Sequence, residues 1–268
     1  MNQKGESVEI AVIGGTGIYD ANIFIEDKLV NLHTPYGPTS DSIVIGSFKG
    51  KKIAFLPRHG KGHKIPPHMI NHRANIWALK ELGVKRIIAP SAVGSLDYDF
   101  APGHVMLPNQ FIDFTKKRHY TFFDGPTVCH VSTADPFCNE LRTLAIRCIG
   151  ELNIKFHDNG TYICVEGPRF STRAESKIFR DVFKANIIGM TLVPECTLAR
   201  ESEICYLSVA TVTDYDVWAD KPVSTKEIIE TLHKNVENTK KILSSLIPEI
   251  PEERTHCNCG TALKDAVL

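Results

Sequence analysis

Residues 166–216, EGPRFSTRAESKIFRDVFKANIIGMTLVPECTLARESEICYLSVATVTDYD, decide the fold of this chain. Three clusters of small, polar or acidic residues, EGPRFSTRAE, GMTLVPE and TVTDYD, follow at intervals of about twenty residues, each beside an apolar run. An α/β chain gathers loop chemistry in this way at the ends of neighbouring strands. Residues 173–183 read as a helix, 186–189 as a short strand and 194–203 as a helix with Pro194 near its first position. Residues 205–213 form an apolar, β-rich run that ends at Asp214-Tyr215-Asp216.

Upstream, VEIAVI (8–13) is a buried-strand pattern that stops at Gly14-Gly15-Thr16-Gly17. Glycines after a strand let backbone N–H groups approach an anion closely. The dinucleotide fingerprint fails here because its third glycine falls on Asp20, and no Gly-Lys-Ser/Thr triplet supports a Walker loop. Residues 42–56 read as a hairpin turning at Lys49-Gly50 and running into Arg58-His59-Gly60-Lys61-Gly62-His63. Pro66-Pro67 is expected to start a helix that closes at Gly83. A strand over 84–89 then leads into a small-residue loop, PSAVGS (90–95). Strand patterns recur at 103–107, 110–114 and 160–165, and a helix is expected over 140–152. Residues 115–138 are irregular, as in a functional or interface loop. An amphipathic helix covers 224–245. Alternating strands and helices without a linker or repeat predict a single α/β domain, residues 1–250, with a central mixed β-sheet flanked by helices; residues 251–268 form a C-terminal tail.

The composition narrows the function. Lysine plus arginine and aspartate plus glutamate both number 31, so no basic field awaits a nucleic acid or an acidic membrane. No run approaches a membrane span, and no apolar signal region precedes the first strand, which predicts a cytoplasmic protein. His59, His63, His68 and His72 invite a metal reading, but Pro66-Pro67 separates the pairs and no HExxH is present, so no metal is expected there.

Thr16, Arg58-His59, Ser91-Ala92 and Met190-Thr191 all sit at expected strand ends. Hydroxyls, backbone N–H groups and one arginine describe a pocket for inorganic phosphate better than one for a coenzyme. Phe170 offers an aromatic face, and Asp214 with Asp216 offers acid–base capacity.

Together the blocks GGTGIYD, RHGKGH, NHRANIWALKELG, SAVGSL, EGPRFSTRAE, GMTLVPE and TDYD resemble the signature of the 5'-methylthioadenosine phosphorylases, in the trimeric purine nucleoside phosphorylase group. The resemblance covers residues 8 to 247 and implies phosphate-dependent cleavage of the N-glycosidic bond, giving adenine and 5-methylthioribose 1-phosphate for purine and methionine salvage. Phosphate is then a co-substrate and no cofactor is expected. The resemblance implies that Thr16, Arg58, His59, Ser91, Ala92 and Thr191 hold phosphate, Met190 lies along the ribose and Phe170 stacks on the base. Asp214 and Asp216 face the purine N6 and N7 edge, with Asp214 as general acid toward N7. Sister guanosine and inosine phosphorylases carry asparagine at this position, whose amide donates to O6; an aspartate suits 6-aminopurines instead. A purine nucleoside phosphorylase of broader range is the alternative.

The 5' substituent is expected in an apolar slot from Thr225 and Ile229, closed by His130 of a neighbouring subunit, which implies a trimer or a dimer of trimers. Thr225 replaces the valine of animal members, so adenosine is a further expected substrate. The aromatics Phe114, Tyr120, Phe122 and Phe123 fit an interface. Cys257-Asn258-Cys259 lies outside the resemblance and reads as a candidate disulfide, a redox pair or half of a metal site.

Overall fold

The computed structural model describes residues 8–15, 25–219 and 225–268, the last group without side chains for residues 225–229. In chain order the elements are β1 (Ile10–Gly14), β2 (Ile25–Val30), β3 (Ile43–Phe48), β4 (Lys51–Pro57), α1 (His72–Glu81), β5 (Arg86–Ser95), β6 (Val105–Met106) and β7 (Gln110–Phe114). There follow α2 (Asn139–Gly150), β8 (Phe156–His157), β9 (Thr161–Val165), α3 (Arg173–Lys177), β10 (Ile187–Gly189), α4 (Leu192–Glu201), β11 (Cys205–Tyr215) and α5 (Thr225–Glu249). As the sequence predicts, these strands form one mixed sheet with helices on both faces.

Side-chain alternation explains the layering. Ala11 and Ile13 of β1 face one apolar core while Ile10 and Val12 face another. Along β11, Tyr206, Ala210 and Val212 enter the first core, and Cys205, Leu207 and Val209 the second. α1 and α4 cover the first face through Ile76, Leu79 and Leu198; α2 and α5 cover the second through Leu141, Ile149, Ile242 and Leu246. Strands buried on both faces read as nearly continuous apolar runs, which is why their positions are visible in the sequence.

β5 is the hub. Its first half pairs in parallel with β1, its whole length with β11, and its end antiparallel with β10. The expected loop 90–95 is therefore strand. Pro90 is tolerated because β1 stops pairing at Ile88, and the Pro90 carbonyl turns from β11 toward Arg58, 3.2 Å from Nη1. The helix expected from Pro66-Pro67 also starts later, since Ile70 is extended and Asn71 caps α1 by accepting from the Ala74 N–H at 3.1 Å. His68 consequently lies in a separate short turn, Pro67–Met69, and does not share a helix with His72. The Lys49-Gly50 turn is as expected, both residues having positive φ (44° and 80°), the backbone of a tight hairpin.

The C-terminal segment packs onto the body. Cys259 and Ala266 are buried, and residues 128–130 pair with 266–268 through the Cys129–Val267 bridge.

Candidate active site

The ends of β5, β9, β10 and β11 converge on a cavity of about 490 Å³. Its walls bring together Ala92, Met190, Thr191, Asp214 and Asp216 with His59 and Phe170, residues drawn from well-separated parts of the sequence. Phe170 is 71% exposed, so its ring stands free at the cavity wall and is available to a ligand.

A β-bulge aims the first acid. β11 pairs with β5 in register up to Val212–Val93, then resumes at Asp214–Gly94, leaving Thr213 as the extra residue. Gly94 leaves room opposite: a Cβ there would stand 3.1 Å from Ile188 Cγ2 and 3.4 Å from Asp214 Oδ1, a tight fit. Thr213 Oγ1 lies 2.6 Å from Asp214 Oδ2 and 3.0 Å from the Val93 carbonyl oxygen. A hydroxyl has one proton for these two acceptors. Both contacts are satisfied when Asp214 is protonated and donates to Oγ1, which then donates to Val93. Burial raises the Asp214 pKa above its ordinary value and Asp216 adds repulsion; the Thr213 hydroxyl would lower it as a donor, but its one proton is committed to the Val93 carbonyl. Burial likewise raises Asp216, whose Oδ2 accepts from Ser176 Oγ at 2.5 Å.

The opposite end of the site is built on a buried ion pair. Arg58 Nε and Nη2 donate to the two Glu195 oxygens at 2.6 and 2.9 Å, Nη2 also to Ile13 O, and Nη1 to Pro90 O. Four of the five guanidinium N–H groups are thus engaged; the remaining one is on Nη1, 3.1 Å from where a Gly15 Cβ would stand. Glu195 is held down at a pKa of about 2: its burial opposes ionisation, but the Arg58 charge and its hydrogen bonds prevail. Tyr206 OH donates to the same carboxylate at 2.8 Å.

His59 lines the cavity and is neutral near pH 7. Burial and the adjacent Arg58 charge lower its pKa to about 4. Its Nδ1 lies 2.8 Å from Ile65 O, an acceptor, so the proton sits on Nδ1 and Nε2 presents a lone pair. Ser91 Oγ is buried without a hydrogen-bond partner among the described residues, beside a small recess, shared by Gly15 and Ala92, of about 10 Å³. Thr191 occupies the N-cap of α4 without using its side chain as a cap.

Three site expectations lie outside what is described: Thr16, and the side chains of Thr225 and Ile229. His130 is exposed and does not line the cavity of its own chain; its N–H donates to Ala266 O at 2.7 Å. Cys257 and Cys259 are both free thiols, and Cys257 Sγ lies 3.5 Å from Cys205 Sγ.

Sequence reasoning assigned no role to Glu195, Ser176, Thr213 or Arg118. Arg118, from the irregular segment 115–138, donates from Nη2 to the carbonyls of Glu166 and Met190, each at 2.8 Å, from Nη1 to Val193 O, and from Nε to the Glu166 carboxylate. It thereby joins the loop carrying Phe170 to the one carrying Met190 and Thr191. The signal available was the acidic residue within EGPRF and GMTLVPE; nothing in the spacing links either block to an arginine as distant as these.

The sequence profile of the Phosphorylase superfamily matches residues 9–248. A protein of Nitrosopumilus maritimus named S-methyl-5'-thioadenosine phosphorylase is 60% identical over 97% of this chain and 98% of its own. One of the same name from Saccharolobus solfataricus is 57% identical over the full length of both. Among solved structures, a methylthioadenosine phosphorylase from an antarctic soil metagenomic library superposes with a TM-score of 0.93 at 43% identity, covering 98% of this chain and 93% of that one. A variant of the Schistosoma mansoni adenosine/methylthioadenosine phosphorylase, in complex with methylthioadenosine, gives 0.86 at 38% identity, covering 92% and 93%.

Proposed function

The chain belongs to the phosphorylase superfamily, and we propose that it cleaves the N-glycosidic bond of 5'-methylthioadenosine with inorganic phosphate, releasing adenine and 5-methylthioribose 1-phosphate. The observation that carries this reading is the bulged Asp214, a carboxyl with a raised pKa in a cavity whose other end gathers anion-binding groups. The names of the relatives supply the substrate.

Phosphate occupies the end near Gly15, Ser91, Ala92 and Thr191. Because Glu195 neutralises Arg58, the anion meets a preorganised set of N–H and O–H donors rather than a free guanidinium charge. His59, neutral with Nε2 unprotonated, accepts from a phosphate hydroxyl. A phosphate oxygen forms the new bond to C1' while the C1'–N9 bond breaks, its electron pair departing on the purine. Asp214 delivers its proton to N7, and its other oxygen accepts from the 6-amino group. Glycosidic cleavage passes through an oxocarbenium-like state, so holding an anion beneath C1' and neutralising the leaving base are the two tasks. Fixing the phosphate supplies roughly 7–11 kcal/mol of orientation, and the proton a further ~10²–10⁴-fold. Asp216, held by Ser176, keeps the purine edge acidic, and Phe170 stacks on the base.

The 5' slot comprises Thr225 and Ile229 with His130 from a neighbour, and the assembly is a trimer or a pair of trimers. Exposed apolar side chains on β7 and around α3, among them Phe114, Val182 and Phe183, support self-association, whereas Phe122 packs within its own chain. A cytoplasmic location accords with the absence, among the described residues, of any helix long and apolar enough to cross a membrane.

The test is kcat/KM for methylthioadenosine, adenosine, inosine and guanosine in the native chain and in Asp214→Asn. Methylthioadenosine is expected to lead and adenosine to follow. The substitution should lower activity on both by roughly 100-fold or more while sparing 6-oxopurines. Inosine turned over as well as methylthioadenosine would refute the assignment.

A further inference from the structure

Far from the cavity, four thiols meet. Cys138 is the N-cap of α2, Cys205 opens β11, and Cys257 and Cys259 come from the C-terminal segment. Their sulfur atoms all lie within 4.8 Å of one another, Cys205 and Cys257 at 3.5 Å, and all four are free. We propose that these residues form a structural tetrathiolate site for a thiophilic divalent cation, Zn²⁺, which fastens the C-terminal segment to the body of the chain.

The geometry fits. Zinc–sulfur bonds of about 2.3 Å directed to a tetrahedron place the sulfurs about 3.8 Å apart along every edge. Here all six sulfur–sulfur separations fall within one sphere of comparable size, instead of resolving into two bonded pairs. A Cys257–Cys259 bridge, one of the readings the sequence leaves open, closes a short strained ring, whereas a shared cation asks each sulfur only to turn toward a common centre. Four sulfur ligands with no oxygen or nitrogen select zinc over hard cations.

The charges fit as well. Hydrogen bonding among the sulfurs, burial and mutual repulsion together push the Cys138, Cys205 and Cys259 thiols up, Cys259 to about 12. Zn²⁺ releases four protons and leaves the centre with a net charge of −2. Two arginines stand ready to offset it. Arg200 Nη1 lies 3.8 Å from Cys259 Sγ. Arg86, the cross-strand neighbour of Cys205, is 1% exposed; the Glu9 and Glu140 carboxylates stand 3.9 and 4.0 Å from it, while its Nε has no hydrogen-bond partner among the described residues.

The consequence is architectural. Otherwise the segment is held by scattered polar contacts, such as His256 N–H to Glu140 at 2.7 Å and Arg254 Nη1 to Glu203 O at 2.7 Å. The same segment pairs with residues 128–130 and fixes the backbone of His130. An ion here therefore sets, from a distance, the position of the residue assigned to a neighbour's 5' slot, a consequence that rests on the proposed function while the site itself does not.

The full chain, produced with added zinc and desalted, should carry about one zinc per chain by elemental analysis and eight thiols after unfolding with chelator. The Cys257→Ser/Cys259→Ser double variant should lose the metal while remaining folded, with any change in phosphorolysis appearing in KM, where the His130 slot acts. Cobalt(II) in place of zinc should give the intense visible bands and thiolate charge transfer of a tetrahedral sulfur site, a readout that needs no variant. Metal content no higher than in the double variant, or a mass four hydrogens short with four thiols missing, would overturn the proposal, the latter by showing two disulfides.

Discussion

At the scale of single residues, the chemistry turns on where one proton sits. Thr213 Oγ1 is within reach of both Asp214 Oδ2 and the Val93 carbonyl, and the arrangement is complete when Asp214 is the acid and Thr213 passes its own proton onward. Thr213→Val removes the acceptor for that acidic proton. The account predicts that the descending limb of the kcat–pH profile, which reports loss of the Asp214 proton as pH rises, moves down by about one pH unit, ~1.4 kcal/mol. A limb that moves up instead would mean that Thr213 serves the ionised carboxylate. His59 contributes no limb near neutrality, since its pKa of about 4 keeps it neutral across the working range. Because that value is depressed, any stability linked to His59 is intact above its unfolded pKa of about 6.5 and declines as the pH falls toward 4.

At the scale of elements, α4 is tied to Arg58, the residue that follows β4, through the Arg58–Glu195 pair, which is almost fully buried at 1% and 0% exposure. Such a pair is costly to break from one side. Glu195→Gln strands a buried guanidinium and should destabilise the chain by about 3–5 kcal/mol in denaturant unfolding. Arg58→Met with Glu195→Leu removes both charges and should be less destabilised than the single variant, although it sacrifices phosphate binding. A double variant worse than Glu195→Gln would show that the pair itself stabilises the fold. Glu195, with its pKa lowered to about 2, contributes this stability fully above about pH 4.5 and loses it as pH falls toward 2.

The same elements mark how far the sequence could be read. Apolar, β-rich runs located β1, β3, β4, β9 and β11, since each is largely buried. Glycine and small residues at their ends marked the cavity. What stayed illegible depends on long-range geometry. Pro90 reads as a strand terminator until β1 is seen to stop beside it, and Pro66-Pro67 reads as a helix start until Asn71 caps five residues into the expected helix. The role of Glu195 requires knowing that α4 faces β4, 137 residues away in sequence. Arg118 likewise lies in a segment whose lack of pattern suggested an interface rather than a clamp.

At the scale of the whole molecule, the sheet divides the labour. In the proposed function, its first half, through β4 and β5, carries the phosphate-binding groups other than Thr191, and its second half, through β9, β10 and β11, carries Thr191, the stacking ring, the ribose contact and the acid. Neither half makes a site alone, and His130 does not line the cavity of its own chain. Cleavage is then expected to require phosphate as nucleophile, since the end of the cavity near Ser91, Ala92 and Thr191 is the one fitted to an anion. Adenine release from methylthioadenosine, measured with and without inorganic phosphate and with identification of the sugar product, tests this most directly. The account predicts 5-methylthioribose 1-phosphate in equal amount to adenine, and no turnover once phosphate is removed; undiminished adenine release in phosphate-free buffer, with free methylthioribose as the product, would contradict it.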